Sequence, residues 1–149
     1  MPVIRRFSFS DLNRILQIER QAFPKSPYDW ATFINLHYLY SENFLVYVDI
    51  NPERKKDEIL GYIIFSRDGH IISIAVHPQH RRKGIGKKLL EMTLNPPHPK
   101  KVWAEVRKSN QGAQAFYARI GFEIKGIVPN YSGNEDALIV ERISPDSNY

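Results

Sequence analysis

The chain has 149 residues, a formal net charge of +5 and an isoelectric point near 9.5; 42% of its residues are hydrophobic and 25% charged. That is the length of one domain, 1–149, able to bury roughly 68–70% of its unfolded surface in a core of its own. With no cysteine, a disulfide framework, a Cys-ligated zinc site and a thiol nucleophile are excluded, and a cytoplasmic location is expected.

In chain order, Leu12, Ile15, Leu16, Ala22 and Phe23 recur at helical spacing over 10–23, with Ser10 or Asp11 as N-cap and Pro24 as stop. A second helix is expected from Asp29, with Trp30, Phe33, Ile34 and His37 on one face. FLVYVDI (44–50) and ILGYIIF (59–65) read as antiparallel strands joined by the charged turn 51–58, and HIISIAV (70–76) as a third strand. Gly84 opens a helix with Ile85, Leu89, Leu90 and Met92 on its apolar side. NPPHP (95–99) ends it, because proline lacks the amide hydrogen a helix interior needs. KVWAEV (101–106) is a strand with Val102, Ala104 and Val106 on one face, Trp103 and Glu105 on the other. Asn110 caps a helix carrying Ala113, Phe116, Tyr117 and Ile120, and Gly121 ends it. Strands near 122–128 and 136–143 follow, separated by a PNYSGN loop, and 144–149 read as a frayed tail. The order α, α, β, β, β, α, β, α, β, β gives a mixed sheet with helices against it. No apolar run approaches the ~20 residues that span a bilayer, and the start lacks the apolar stretch of a signal peptide, so no membrane partner is expected.

The charge is concentrated. RRKGIGKK (81–88) holds five basic residues and no acid, while outside it basic and acidic residues balance at 16 each. No general nucleic-acid surface is required, and a compact anion is the better partner. Gly84 and Gly86 remove side chains where a ligand approaches the backbone, and the helix start presents unpaired N–H groups that suit phosphate. The bland alternative is a solvated basic turn. A Rossmann fingerprint is excluded by Leu89 at the third glycine position, and GxxxxGK[ST] is absent. His77 and His80 have no carboxylate cluster near them in sequence, so no metal site is expected.

Arg81-Arg82-Lys83-Gly84-Ile85-Gly86 resembles the acetyl-CoA pyrophosphate loop of the GNAT superfamily of N-acetyltransferases. ISIAVHP before it and EVRKSNQGAQAFYARIGF after it fit the same superfamily. With Glu135-Asp136-Ala137 and Ala22-Phe23-Pro24 they resemble its N-terminal-amine branch, the ribosomal-protein alanine and archaeal N-terminal acetyltransferases. The resemblance covers about 5–142. It implies a GNAT-like α/β fold: a mixed, largely antiparallel sheet splayed between the strands at 70–76 and 102–106, flanked by about four helices, with acetyl-CoA entering the gap. It implies that Ile74, Ala75 and Val76 offer backbone groups to the pantetheine arm. Arg81, Arg82, Lys83, Gly84, Ile85, Gly86 and Lys87 would hold the pyrophosphate, and Asn110 would contact CoA. Glu105 falls on the proton acceptor and Tyr117 on the proton donor to the thiolate.

The chemistry asks for those residue types: a neutral amine must attack a thioester, and a departing thiolate must be satisfied. The residues also have plainer readings. Glu105 could pair with Arg107 or Lys108, and Tyr117 lies on an apolar stripe typical of core. The aromatics Tyr28, Trp30, Tyr38 and Tyr40 could line an acceptor groove or pack the second helix. The branch usually has two adjacent tyrosines before EDA, and here Tyr131 stands alone. Tyr131 and Phe23 are expected to contact the acceptor. The acceptor is expected to be a protein N-terminal α-amine, with a small amine such as a polyamine, or a non-catalytic acyl-CoA-binding module, as alternatives.

Overall fold

The computed structural model describes residues 2–53, 56–94 (the Leu94 side chain excepted) and 99–143; residues 95–98 of the proline run and the tail 144–149 lie outside them. Among the described residues, seven strands and four α-helices follow one another: β1 (Pro2–Arg6), α1 (Leu12–Ala22), α2 (Trp30–Leu39), β2 (Phe44–Asp49), β3 (Glu58–Phe65), β4 (Ile71–Val76), α3 (Ile85–Glu91), β5 (Lys101–Arg107), α4 (Gln111–Arg119), β6 (Glu123–Ser132) and β7 (Glu135–Ile143). The strands form two sheets, β1-β2-β3-β4 and β5-β7-β6, so in chain order the hydrogen-bonded ladder breaks between β4 and β5. The chain divides into two compact units, Met1–Ser66 with Ile72–Met92 and Arg67–Ile71 with Thr93–Tyr149.

In the first unit, β2 and β3 pair antiparallel through the charged turn, and β1 pairs antiparallel with β2. β1 was not expected from sequence. Its burial is exposed throughout except for Ile4, so it carries no alternation of its own and is held by its partner. Phe7, Ile15, Ile18, Phe33, Phe44, Val46, Tyr62 and Ile64 make the core between sheet and helices. Phe33 of α2 sits edge-on to Tyr28 and Tyr62, at 5.7 and 5.6 Å between ring centroids. The expected α2 stripe needs correction at its start: Trp30 is exposed, as is Tyr38, while Tyr28 and Tyr40 pack against the core. Asp29 is the N-cap and accepts from Thr32 N at 2.9 Å. Asp11 holds the N-cap position of α1, but its carboxylate turns elsewhere. It takes both Arg5 guanidinium nitrogens, at 2.8 and 2.9 Å, and Ser8 N at 2.9 Å, tying β1 to the start of α1. Burial alone would raise this carboxyl; the Arg5 and Ser8 donors outweigh it and hold it below the ordinary carboxylate range.

A bulge in β3 sets the path of the chain as it leaves β4. Tyr47 faces Gly61 and Val48 faces Ile59, so Leu60 is the extra residue. Its carbonyl accepts from His77 N at 2.8 Å, one residue past β4. Gly61 lets β4 lie close, since a Cβ there would stand 2.8 Å from the Ala75 carbonyl oxygen.

In the second unit, Val102, Ala104 and Val106 are buried and Trp103, Glu105 and Arg107 are not, as the alternation requires. Gly121 has φ 93° after α4, the left-handed stop expected of it. The PNYSGN segment is not a free loop. β6 runs through Ser132, which pairs with Glu135, leaving a two-residue turn at Gly133-Asn134. Asn130 adopts φ 52° at a register shift and its N–H donates to Asp136 Oδ1 at 3.0 Å. The Glu135 carboxylate accepts from Ser109 N at 2.8 Å, and the Asp136 carbonyl from Lys108 N at 3.0 Å. The EDA segment therefore fastens the turn between β5 and α4. No helix among the described residues is long and apolar enough to cross a membrane.

Candidate functional site

The basic loop lies in the first unit, after β4. β4 is the last strand of its sheet. The Ala75 carbonyl faces β3 against Gly61, so strand alternation turns Ile74 and Val76 to the outer edge. Of these, the Val76 carbonyl already accepts from Arg81 Nε at 3.3 Å. Arg82 has φ 65° and Gly84 φ 82°, two left-handed residues flanking Lys83. Alternation of this kind turns successive N–H groups to one side and forms an anion-binding concavity. An Arg in that conformation carries backbone strain, the more telling because a glycine would avoid it. A Cβ on Gly84 would meet nothing within 4 Å, so protein packing does not demand the glycine there. Its φ does, and the space above it is open to a ligand. Arg81, Arg82, Lys83, Lys87 and Lys88 are exposed, Gly86 is half-buried, and Ile85 is buried and anchors α3.

His77, at the root of the loop, is buried and accepts from Gln79 N at Nδ1, 3.2 Å. Burial first, then the charges of Arg14 and His80, lower its pKa, which keeps the ring neutral and the acceptor available. His80 lies 3.9 Å from Glu58 and 3.4 Å from Lys83 Nζ. Among the described residues no group of three or more His, Asp or Glu could hold a metal.

The second unit carries the titratable cluster. Glu105 does not pair with Arg107 or Lys108, contrary to the plainer expectation. Its Oε2 accepts from His70 Nε2 at 2.7 Å. Arg107 lies two residues along the strand, and Lys108 beyond its end, so the partner comes instead from 35 residues earlier. Gly69 makes that possible: at φ 105° its Cβ would stand 2.0 Å from the Lys101 carbonyl oxygen, so only glycine fits. The Gly69 carbonyl takes Trp103 N at 2.9 Å, and the His70 ring stacks on the Trp103 indole at 5.2 Å and 4°. Sequence reasoning missed His70. Its one signal was the Asp68-Gly69 pair just before it, a turn mark with no bearing on a strand 35 residues later.

Tyr117 is buried against Phe116 and Phe122. Burial, with the Glu105 charge added, holds its hydroxyl well above the usual phenol range. Among the described residues that hydroxyl makes no hydrogen bond. Tyr131 is half-exposed; burial and then Glu105 raise its pKa, against Arg107. The Glu105 charge thus adds to the upward shift of both Tyr117 and Tyr131. Asn110 caps α4 through Ala113 N at 3.0 Å, and its amide NH2 makes no hydrogen bond among the described residues. Phe23 packs partly buried on the core of the first unit.

A second buried group also escaped the sequence. Glu19 of α1 is 2% exposed; its carboxylate accepts from Tyr28 N at 3.0 Å and from the Tyr62 hydroxyl, which in turn takes the Ser73 hydroxyl at 2.8 Å. Burial first, then the Glu19 charge, pushes the Tyr62 hydroxyl well above its usual range. This chain of bonds fastens α1, β3 and β4.

Residues 12–122 match the model of the acetyltransferase (GNAT) family. The chain belongs to the GNAT family. It is 31% identical to an N-alpha-acetyltransferase of Sulfurisphaera tokodaii, over 92% of this chain and 90% of the relative. It is 39% identical to the ribosomal protein bS18-alanine N-acetyltransferase of Escherichia coli, over 94% and 96%. The crystal structure of Ard1 from Thermoplasma volcanium superposes with a TM-score of 0.83 at 30% identity, covering 97% of this chain and 99% of that one. This GNAT protein is an N-acetyltransferase, and its two antiparallel sheets with four helices match the fold of those neighbours.

Proposed function

We propose that this GNAT protein transfers the acetyl group of acetyl-CoA to the N-terminal α-amine of a protein. The observation that carries the reading is the Glu105 carboxylate, fixed by His70 on the less buried face of β5. The names of its relatives, an N-alpha-acetyltransferase and a ribosomal-protein alanine acetyltransferase, support it.

Acetyl-CoA supplies a thioester carbonyl and a thiolate leaving group. The left-handed pair Arg82 and Gly84, the open space at Gly84 and the cations at 81–83 and 87 suit its pyrophosphate, with Ile85 and Gly86 placing the first turn of α3. The outer edge of β4 at Ile74 to Val76 suits an amide-bearing arm, and the spare Asn110 amide a further polar contact. Glu105, directly or through one water, accepts the proton that the attacking amine must lose as the N–C bond forms and the C–S bond breaks. His70 Nε2–H orients the carboxylate through its 2.7 Å hydrogen bond. The leaving sulphur receives the Tyr117 hydroxyl. A thiol has a reference pKa of about 8.5 and this phenol lies above its own ordinary ~10, so full transfer to a free thiolate is uphill. Tyr117 therefore keeps its proton at neutral pH and gives the sulphur a hydrogen bond as charge develops there.

The acceptor assignment rests on protonation. With reference pKa values near 7.9 and 10.4, about a quarter of α-amines are neutral at pH 7.5 but only ~0.1% of lysine amines. A carboxylate is a mild base, matched to the former. Tyr131 and Phe23 are assigned to the acceptor. The expected outcome is acetylation of peptides with a small or Met first residue. Glu105→Gln and Tyr117→Phe should each lose roughly 10²–10⁴-fold in turnover while calorimetric titration finds acetyl-CoA affinity kept. Tyr131→Ala should raise the peptide KM alone. Wild-type turnover in both Glu105→Gln and Tyr117→Phe, with chemistry rate-limiting, overturns the residue roles.

A further inference from the structure

Glu19 is a buried carboxylate that the proposed reaction does not use, and its bonds lead to the edge strand β4. Its two oxygens have separate donors: Oε2 takes Tyr28 N–H at 3.0 Å, and Oε1 takes the Tyr62 hydroxyl. Tyr62 is fully buried, its ring edge-on to Phe33 at 5.6 Å, so its hydroxyl is held inside the core. Its oxygen lies 2.8 Å from Ser73 Oγ. All four residues, Glu19, Tyr28, Tyr62 and Ser73, belong to the first compact unit. The bonds have a direction. A carboxylate only accepts, so the Tyr62 proton goes to Glu19 and the Tyr62 oxygen has only lone pairs left for Ser73. Ser73 therefore spends its one proton inward, on Tyr62. A serine hydroxyl has one donor and two lone pairs, and what remains at Ser73 is acceptor capacity alone.

Among the described residues the Ser73 oxygen makes no other hydrogen bond, and Ser73 is half-buried where Glu19 and Tyr62 are sealed in. A fixed acceptor with no proton to give suits an N–H group and repels a carbonyl or carboxylate oxygen. Its place along β4 says which N–H. The pyrophosphate loop follows Val76, so an arm laid back along the outer edge from Val76 to Ile74 carries its thioester end towards Ser73, about 10 Å along the strand from Val76. We infer that Ser73 Oγ accepts an N–H of the attacking amine, with Tyr62 and Glu19 as positioning residues that fix the direction of its hydroxyl. Such a bond holds the nitrogen beside the thioester and leaves its lone pair free to attack. The inference rests on the acetyl-CoA and α-amine assignments above and adds a residue to that site.

The test measures binding with CoA in place of acetyl-CoA, so that nothing reacts. Calorimetry compares a peptide that has a small first residue with the same peptide lacking its α-amino group. The wild-type protein should prefer the amine. Ser73→Ala should cut that preference about threefold or more, within the span of one neutral hydrogen bond, with CoA affinity kept. Ser73→Thr returns a hydroxyl to the same position and should recover it. In Glu19→Gln the amide oxygen can still accept from Tyr28 N, but the NH2 now donates to Tyr62. The Tyr62 proton then turns to Ser73 and the Ser73 proton turns outward, so the preference should fall there too. If Glu19→Gln does not fold, the two Ser73 variants decide alone. A chain of bonds that only braces the fold would lower the Tm of Ser73→Ala and leave the amine preference as it was. That result overturns this inference and leaves the α-amine reading intact, and so does a preference that Ser73→Thr fails to recover. If the wild-type protein binds and acetylates no peptide N-terminus, the α-amine reading fails and this inference fails with it.

Discussion

At the scale of single residues, the chemistry depends on how a side chain is held as much as on which it is. The EVR segment singles out Glu105 as a candidate, but nothing in the sequence singles out the residue that fixes it. His70 belongs to the end of a turn, and only the approach of Gly69 to Lys101 brings its ring onto Trp103. Glu19 was hidden for a related reason: a carboxylate on an amphipathic helix reads as surface until its partners, Tyr28 N and the Tyr62 hydroxyl, are in place. The His70 contact leads to a split between two variants. His70→Phe keeps an aromatic ring over Trp103 but removes the donor, so kcat should fall by roughly 10-fold or more, on the order of a lost charge-assisted hydrogen bond. Acetyl-CoA KM should not change. His70→Gln retains a donor at comparable reach and should recover much of the loss. Steady-state kinetics of the two variants decide it, and equal rates in both would remove His70 from the account.

At the scale of elements, helices and central strands were readable because their apolar periodicity is local. Phe33, Leu89 and Val102 are buried where spacing put them. The exceptions are elements defined by a partner. β1 exists because β2 pairs with it, and β6 continues through Ser132 because β7 and the Asp136 carboxylate hold Asn130. The left-handed Arg82 was not legible either, since an arginine gives no sign of that conformation in a sequence. Two glycines with positive φ should answer differently to substitution. Gly69→Ala drives a Cβ to 2.0 Å from a backbone oxygen, and the resulting shift of the 67–70 segment should cost well over ~1 kcal/mol, lowering Tm by several degrees and turnover with it. Gly84→Val meets open space within the protein, so its cost in stability is backbone strain of about 1–3 kcal/mol. Its larger effect should be on acetyl-CoA, at least a tenfold loss of affinity by calorimetry, because the side chain occupies the approach of the ligand. Unchanged binding in Gly84→Val would remove the loop assignment.

At the scale of the whole molecule, the cationic loop and the proposed proton-handling residues fall in different compact units. The first carries the cationic loop that accounts for the chain's net positive charge, and the second carries Glu105, Tyr117 and Tyr131. The central claim is that the amine is an N-terminal α-amine, and one measurement addresses it directly. The protein is incubated at pH 7.5 with acetyl-CoA, spermidine and a peptide that has a free small first residue and an internal lysine, and every acetyl group is located by mass spectrometry. The account predicts acetyl on the peptide's N-terminal nitrogen, with the internal lysine and spermidine essentially unmodified. Acetylated spermidine beside an untouched peptide N-terminus would contradict it.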